Sequence, residues 1–150
     1  MKRRGVTSKS FFTSEESARI AAEVGEAERG TSAEIKVVVL GHSWMDLRDK
    51  AARVFRKHGL HNTKDRNCVM ILLVVANREF LVYGDKGIHE HVRQTFWNDV
   101  RDEIGRHFRA NAFDEGVCAG VRLIGARLAE HFPAQADDVD ELSNEVIHDA

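Results

Sequence analysis

One hundred and fifty residues amount to about one average domain, which leaves little room for a second folded module. With 43% apolar and 31% charged residues, the disordered and collagen-like classes are excluded. The net charge of −2 conceals an asymmetry: residues 1–10 carry four basic side chains, residues 134–150 carry six acidic and no basic ones, and the body between them balances. That body lacks the electrostatic footprint of a nucleic-acid binder.

Residues 1–10 read as a flexible lead. No apolar run follows Lys2, Arg3 and Arg4, so a secretory signal is not expected. Thr13 and Glu16 have the spacing of a capping box, and Ile20 and Val24, with small residues at Ala18, Ala21, Ala22 and Gly25, predict a helix closed by Gly30. Glu34–Leu40 is rich in branched residues and predicts a buried strand. Leu47, Ala51, Val54 and Phe55 then predict a helix ending at Gly59, with Arg56, Lys57 and His58 at the negative end of its dipole.

Cys68–Ala76 is a nearly unbroken apolar run, read as a central strand covered on both faces. It is far shorter than the roughly 20 residues a membrane-spanning helix needs. Asn77 and Arg78 are read as a two-residue hairpin turn, with Glu79–Gly84 returning antiparallel. After a glycine-bracketed loop, Phe96, Val100, Ile104 and Phe108 predict one helix and Val117, Val121, Ile124 and Leu128 another, with Pro133 as the stop. The expected architecture is a three-layer α/β/α sandwich around a small mixed sheet, in the order α-β-α-β-β-α-α. The domain spans 11–133, and residues 134–150 form an acidic tail that Val139, Leu142, Val146 and Ile147 are able to pin to the body.

The hairpin gathers the chemistry. A two-residue turn pairs Ala76 with Glu79, Ile71 with Gly84 and Met70 with Asp85, so Asp65, Arg66 and Asn67 enter the central strand where Asp85 and Lys86 leave the next one. Oxygen donors on Asp65, Asn67 and Asp85 suit a hard cation such as Ca²⁺ or Mg²⁺, bound weakly because the carboxylates are few. The plainer alternative makes Asp85 a turn aspartate bonding its own backbone.

His89 and His91 form an H-x-H pair without an evident third ligand. Cys68 and Cys118 sit in apolar patterns that disfavour thiol catalysis and disulfides, consistent with a reduced, cytoplasmic protein. No Walker loop, nucleophile elbow or dinucleotide fingerprint occurs, so no nucleotide cofactor is expected.

The ordered set Phe11-Phe12-Thr13, Thr31-Ser32-Ala33-Glu34-Ile35, Arg66-Asn67, Cys68–Ala76, Gly84-Asp85-Lys86-Gly87-Ile88, Phe96-Trp97, His131-Phe132-Pro133 and the acids from Asp137 to Glu141 resembles the TPM domain family. The likeness is to its short soluble bacterial branch, over residues 11 to about 142. It implies the same α/β/α sandwich, weak divalent-cation binding near these loops and weak acid phosphatase activity. Longer relatives, one of them a thylakoid protein associated with photosystem repair, imply an assembly or maintenance role with a protein partner. Where the longer branch has an aspartate directly before the Asn of the central strand, this chain has Arg66, with Asp65 displaced by one.

Three functions follow as expectations. The first is a weak cation-binding assembly or maintenance factor, serving an unidentified protein partner without stable membrane insertion. The second is a metal-dependent phosphomonoester hydrolase using Asp85, Lys86 and Arg66. The third is a metal-free interaction scaffold using the acidic tail.

Overall fold

The fold begins where side-chain chemistry says it should. In the computed structural model, which describes residues 4–135 and 142–149, the Thr13 hydroxyl accepts from the Glu16 amide at 3.1 Å and the Glu16 carboxylate from the Thr13 amide at 2.9 Å. This reciprocal box opens α1 (Ser14–Glu28). The remaining elements are β1 (Glu34–Leu40), α2 (Leu47–Lys57), β2 (Cys68–Val74), β3 (Glu79–Gly84), α3 (Lys86–His89), α4 (Gln94–Arg109), α5 (Phe113–Leu128) and β4 (Ile147–Asp149). α3 and β4 were not expected from the sequence; the other seven were.

The sheet is mixed, in the order β3-β2-β1-β4. β1 runs parallel to β2 and to β4, and β2 pairs antiparallel with β3. Alternation sends Val37, Val39, Ile71, Leu73 and Phe80 into a core shared with α1, α4 and α5. Val38, Leu40, Met70, Leu72 and Tyr83 face the opposite way, where α2 is the helix that covers them. These are the three layers. No helix among the described residues is long and apolar enough to cross a membrane.

The hairpin register differs from expectation by two. Val74 pairs with Glu79 and Val69 with Gly84, not Ala76 with Glu79 and Ile71 with Gly84. The reason lies with β1: the Val75 and Ala76 amides donate to the carbonyls of Leu40 and Gly41 at 2.9 Å each, so they follow that strand and leave the hairpin ladder. Val75–Arg78 then makes the turn, closed by the Arg78 amide on the Val75 carbonyl at 3.2 Å with Arg78 at φ 53°. Because the slip is even, every side chain keeps its face. Asp85, expected opposite Met70, instead donates its amide to the Cys68 carbonyl at 3.0 Å and lies beside Asn67 and Arg66.

Residues 4–12 and 142–149 pack on this body. In the stretch read as a flexible lead, Arg4 forks onto Glu16 at 2.7 and 2.8 Å and lies over the rings of Phe11, Phe12 and Phe113. At the other end Leu142 and Ile147 pack on the α2 face. Lys57 and His58 reach Asp149 at 3.0 and 2.7 Å, and buried Lys36 donates to the Ser143 carbonyl. Burial pushes the Lys36 ammonium below its ordinary range. Asp137, Asp138, Val139, Asp140 and Glu141 lie outside the described residues.

Candidate functional site

Asp85 follows β3 as the N-cap of α3, its Oδ1 accepting from the Lys86 amide at 2.8 Å. The plainer reading of this residue therefore describes part of what it does. It does more. Arg66 donates Nε to Oδ2 at 2.7 Å and Nη2 to Oδ1 at 2.8 Å, a two-pronged pair on a carboxylate only 6% exposed. That hydrogen bond raises the Arg66 guanidinium above its ordinary value.

Two backbone features permit the pairing. Arg66 sits at φ 51°, in the left-handed region. Gly87 lies against the preceding loop, its amide donating to the Arg66 carbonyl at 2.9 Å. A Cβ at Gly87 would stand 2.2 Å from the Asp65 carbonyl oxygen, so only glycine lets the two loops meet.

The rim thus unites the loops that sequence reasoning brought together, with a different pairing of side chains. Arg66, not Asp65, is the partner of Asp85. Asp65 and Lys86 are exposed. Asn67 is buried; its amide donates to Thr63 Oγ1 at 3.2 Å, its Nδ2 reaches the Ser32 carbonyl at 3.4 Å, and its Oδ1 has no partner among the described residues.

A divalent cation built on Asp85 does not fit this arrangement. Both carboxylate oxygens already accept from Arg66, while a hard cation asks for six or more oxygens, with negative charge among them. Among the described residues no three His, Cys, Asp or Glu side chains are grouped to hold a metal. The H-x-H pair is split by helical geometry. His89 stacks on Trp97 at 4.8 Å, whereas His91 bonds the Gly87 carbonyl at 2.8 Å. Both cysteines are buried, and burial pushes their thiols up, Cys68 the further.

Sequence reasoning missed the wall facing the rim. Between α2 and β3 opens a hollow of about 680 Å³, lined by Arg53, Arg56, Lys57, His61, Arg66 and Tyr83. Leu47, Ala51, Val54 and Phe55 turn one side of α2 inward, so Arg53 and Arg56, three apart, share the outer side. Both are exposed and have no ion pair among the described residues. Lys57 is committed to Asp149. His61 keeps Nδ1 buried without a partner among the described residues, and Tyr83 leans on Phe55 with centroids 5.0 Å apart. Three guanidinium groups beside one carboxylate, among the described residues, make a pocket for an anion. The signal in the sequence was an i, i+3 arginine pair, Arg53 and Arg56, on the face of α2 that its apolar residues leave outward.

With the geometry in place, comparison with known proteins gives a consistent picture. The family model described as TPM domain matches residues 6–127. The chain is 37% identical to the BA42 protein of the psychrophilic bacterium Bizionia argentinensis, whose solution structure superposes with a TM-score of 0.89 over 93% of this chain and 96% of that one. The N-terminal domain of a P. gingivalis protein is similar at 21% identity and a TM-score of 0.66, over 81% of this chain and 78% of that one. The N-terminal domain of the cg2496 protein of Corynebacterium glutamicum is similar at 11% identity and 0.61, over 92% and 81%, a likeness of fold. No curated protein matches the chain.

Proposed function

Since the chain belongs to the TPM domain family, we propose that it is a binding domain holding an anionic, phosphate-type group between α2 and β3, on behalf of a protein partner and with little catalysis of its own. The observation that carries this reading is the convergence of Arg53, Arg56 and Arg66 on one hollow with Asp85 as its single carboxylate among the described residues. A guanidinium has five N–H donors. The pairing with Asp85 uses one on Nε and one on Nη2, so Nη1 is left for a ligand oxygen. Asp85 acts in this scheme as a positioning residue that fixes the plane of Arg66.

Hydrolysis of a phosphomonoester asks for more than binding. It needs a nucleophile or base free to attack, and the rim carboxylate has both oxygens engaged while Lys86 points from an exposed position. Binding is therefore the better-supported role. A second reading, weak Ca²⁺ or Mg²⁺ association at Asp65 and Asn67, draws support from the partnerless Asn67 Oδ1.

Inorganic phosphate, titrated into the full chain and followed by amide chemical shifts, tests the proposal. Shifts should concentrate at residues 52–57, 61–66 and 83–86, and Arg66→Ala should weaken binding about tenfold, as loss of a charge-assisted pair implies. Absence of localised shifts at tens of millimolar phosphate would overturn it. A calcium titration that moves residues 64–67 alone would select the second reading. Phosphomonoester turnover that disappears in Asp85→Asn would select the hydrolase.

A further inference from the structure

The hollow is too large and too aromatic for phosphate alone. About 680 Å³ lies within the range of sites that take a whole small organic molecule. Its lining joins the guanidinium groups of Arg53, Arg56 and Arg66 to the half-buried ring of Tyr83.

The spacing between these parts is set by the strand. Tyr83 and Asp85 stand two residues apart and on the same face, a separation of roughly 7 Å along extended backbone. Asp85 holds Arg66 at 2.7 Å, so the strand brings the Arg66 guanidinium and the Tyr83 ring to the same hollow. Phe55 backs Tyr83 at 5.0 Å and 55°, which fixes the ring in place.

Resting on the anion-binding reading above, we infer that the ligand is a phosphate joined to an aromatic ring, as in a nucleoside 5′-monophosphate, with Tyr83 as the residue that selects the ring. Arg66, Arg53 and Arg56 take the phosphate, and Tyr83 takes the face of the base. The absence of a Walker loop or dinucleotide fingerprint does not bear on this mode of holding, because the phosphate is met by side chains and not by a glycine-rich turn.

The test compares three probes on the full chain: adenosine 5′-monophosphate, ribose 5-phosphate and inorganic phosphate. The adenosine compound should bind about tenfold more tightly than ribose 5-phosphate, within the range for a base stacked on an aromatic side chain. Tyr83→Leu should erase that difference and leave the affinity for inorganic phosphate unchanged, and Tyr83→Phe should restore it. Equal affinities for the adenosine and ribose compounds, with phosphate still bound through Arg66, would overturn this inference and leave the anion reading intact. Failure of all three probes to bind would overturn both.

Discussion

The two faces of the sheet are built on different terms. One is covered by α1, α4 and α5 and closes into a continuous apolar core. The other is covered by α2 and by the segment Leu142 to Asp149, and its core is smaller. Beside the packing of Phe55 on Tyr83, the hollow between α2 and β3 is lined by Arg53, Arg56, Lys57 and Arg66. Packing therefore explains the first face completely, whereas the second carries side chains that packing does not account for. A cluster of like charges costs free energy through self-repulsion, and binding an opposite charge is the direct way to recover it.

That contrast gives predictions of decreasing size. Ile104→Ala, a fully buried deletion on the three-helix face, should lower unfolding free energy by about 2–5 kcal/mol in denaturant titration, with phosphate affinity unaltered in the folded fraction. Gly87→Ala should cost about 1–3 kcal/mol, because the new methyl meets the Asp65 and Arg66 carbonyls. It should also weaken phosphate binding by displacing Arg66. A Gly87→Ala chain with unchanged melting temperature would contradict the loop contact. Asp149→Asn removes the charge and one of the two oxygens that accept from Lys57 and His58, and a loss of about 1 kcal/mol is expected by the same titration.

The pH dependence is smaller still. The hydrogen bond from Arg4 is the largest influence on Glu16 and holds its carboxyl below the ordinary 4.5. A depressed carboxylate contributes stability that is whole above pH 4.5 and lost as pH falls through the lowered value. Glu16→Gln should flatten the acid limb of a stability–pH curve and leave the neutral limb parallel to the parent. An unchanged acid limb would show that Arg4 does not anchor the N-terminal segment.

The fold was legible because its elements declare themselves locally: the Thr13 capping box, the valine-rich Glu34–Leu40 and the four-residue recurrence from Phe96 to Phe108 all lie where the structure has them. The hairpin register was not, since the amides of Val75 and Ala76 are claimed by β1, a strand distant in sequence. β4 escaped notice because three residues carry no period. Of the site, the meeting of the two loops followed from topology and Gly87 marks it, but the partner of Asp85 depended on the φ of Arg66, which composition does not reveal. Arg56 reads as a charge at the negative end of the α2 dipole, and nothing in the sequence singles out Arg53. Only the placement of β3 across from them turns that face of α2 into one wall of a hollow.

The most direct test is the dissociation constant for inorganic phosphate of the parent chain against Arg53→Gln/Arg56→Gln, two exposed substitutions that should each change stability by less than about 0.5 kcal/mol. The account predicts equal melting temperatures and binding weakened about tenfold or more. Equal affinity in the two proteins would contradict it and return the α2 face to the role of a lid on a packed sheet.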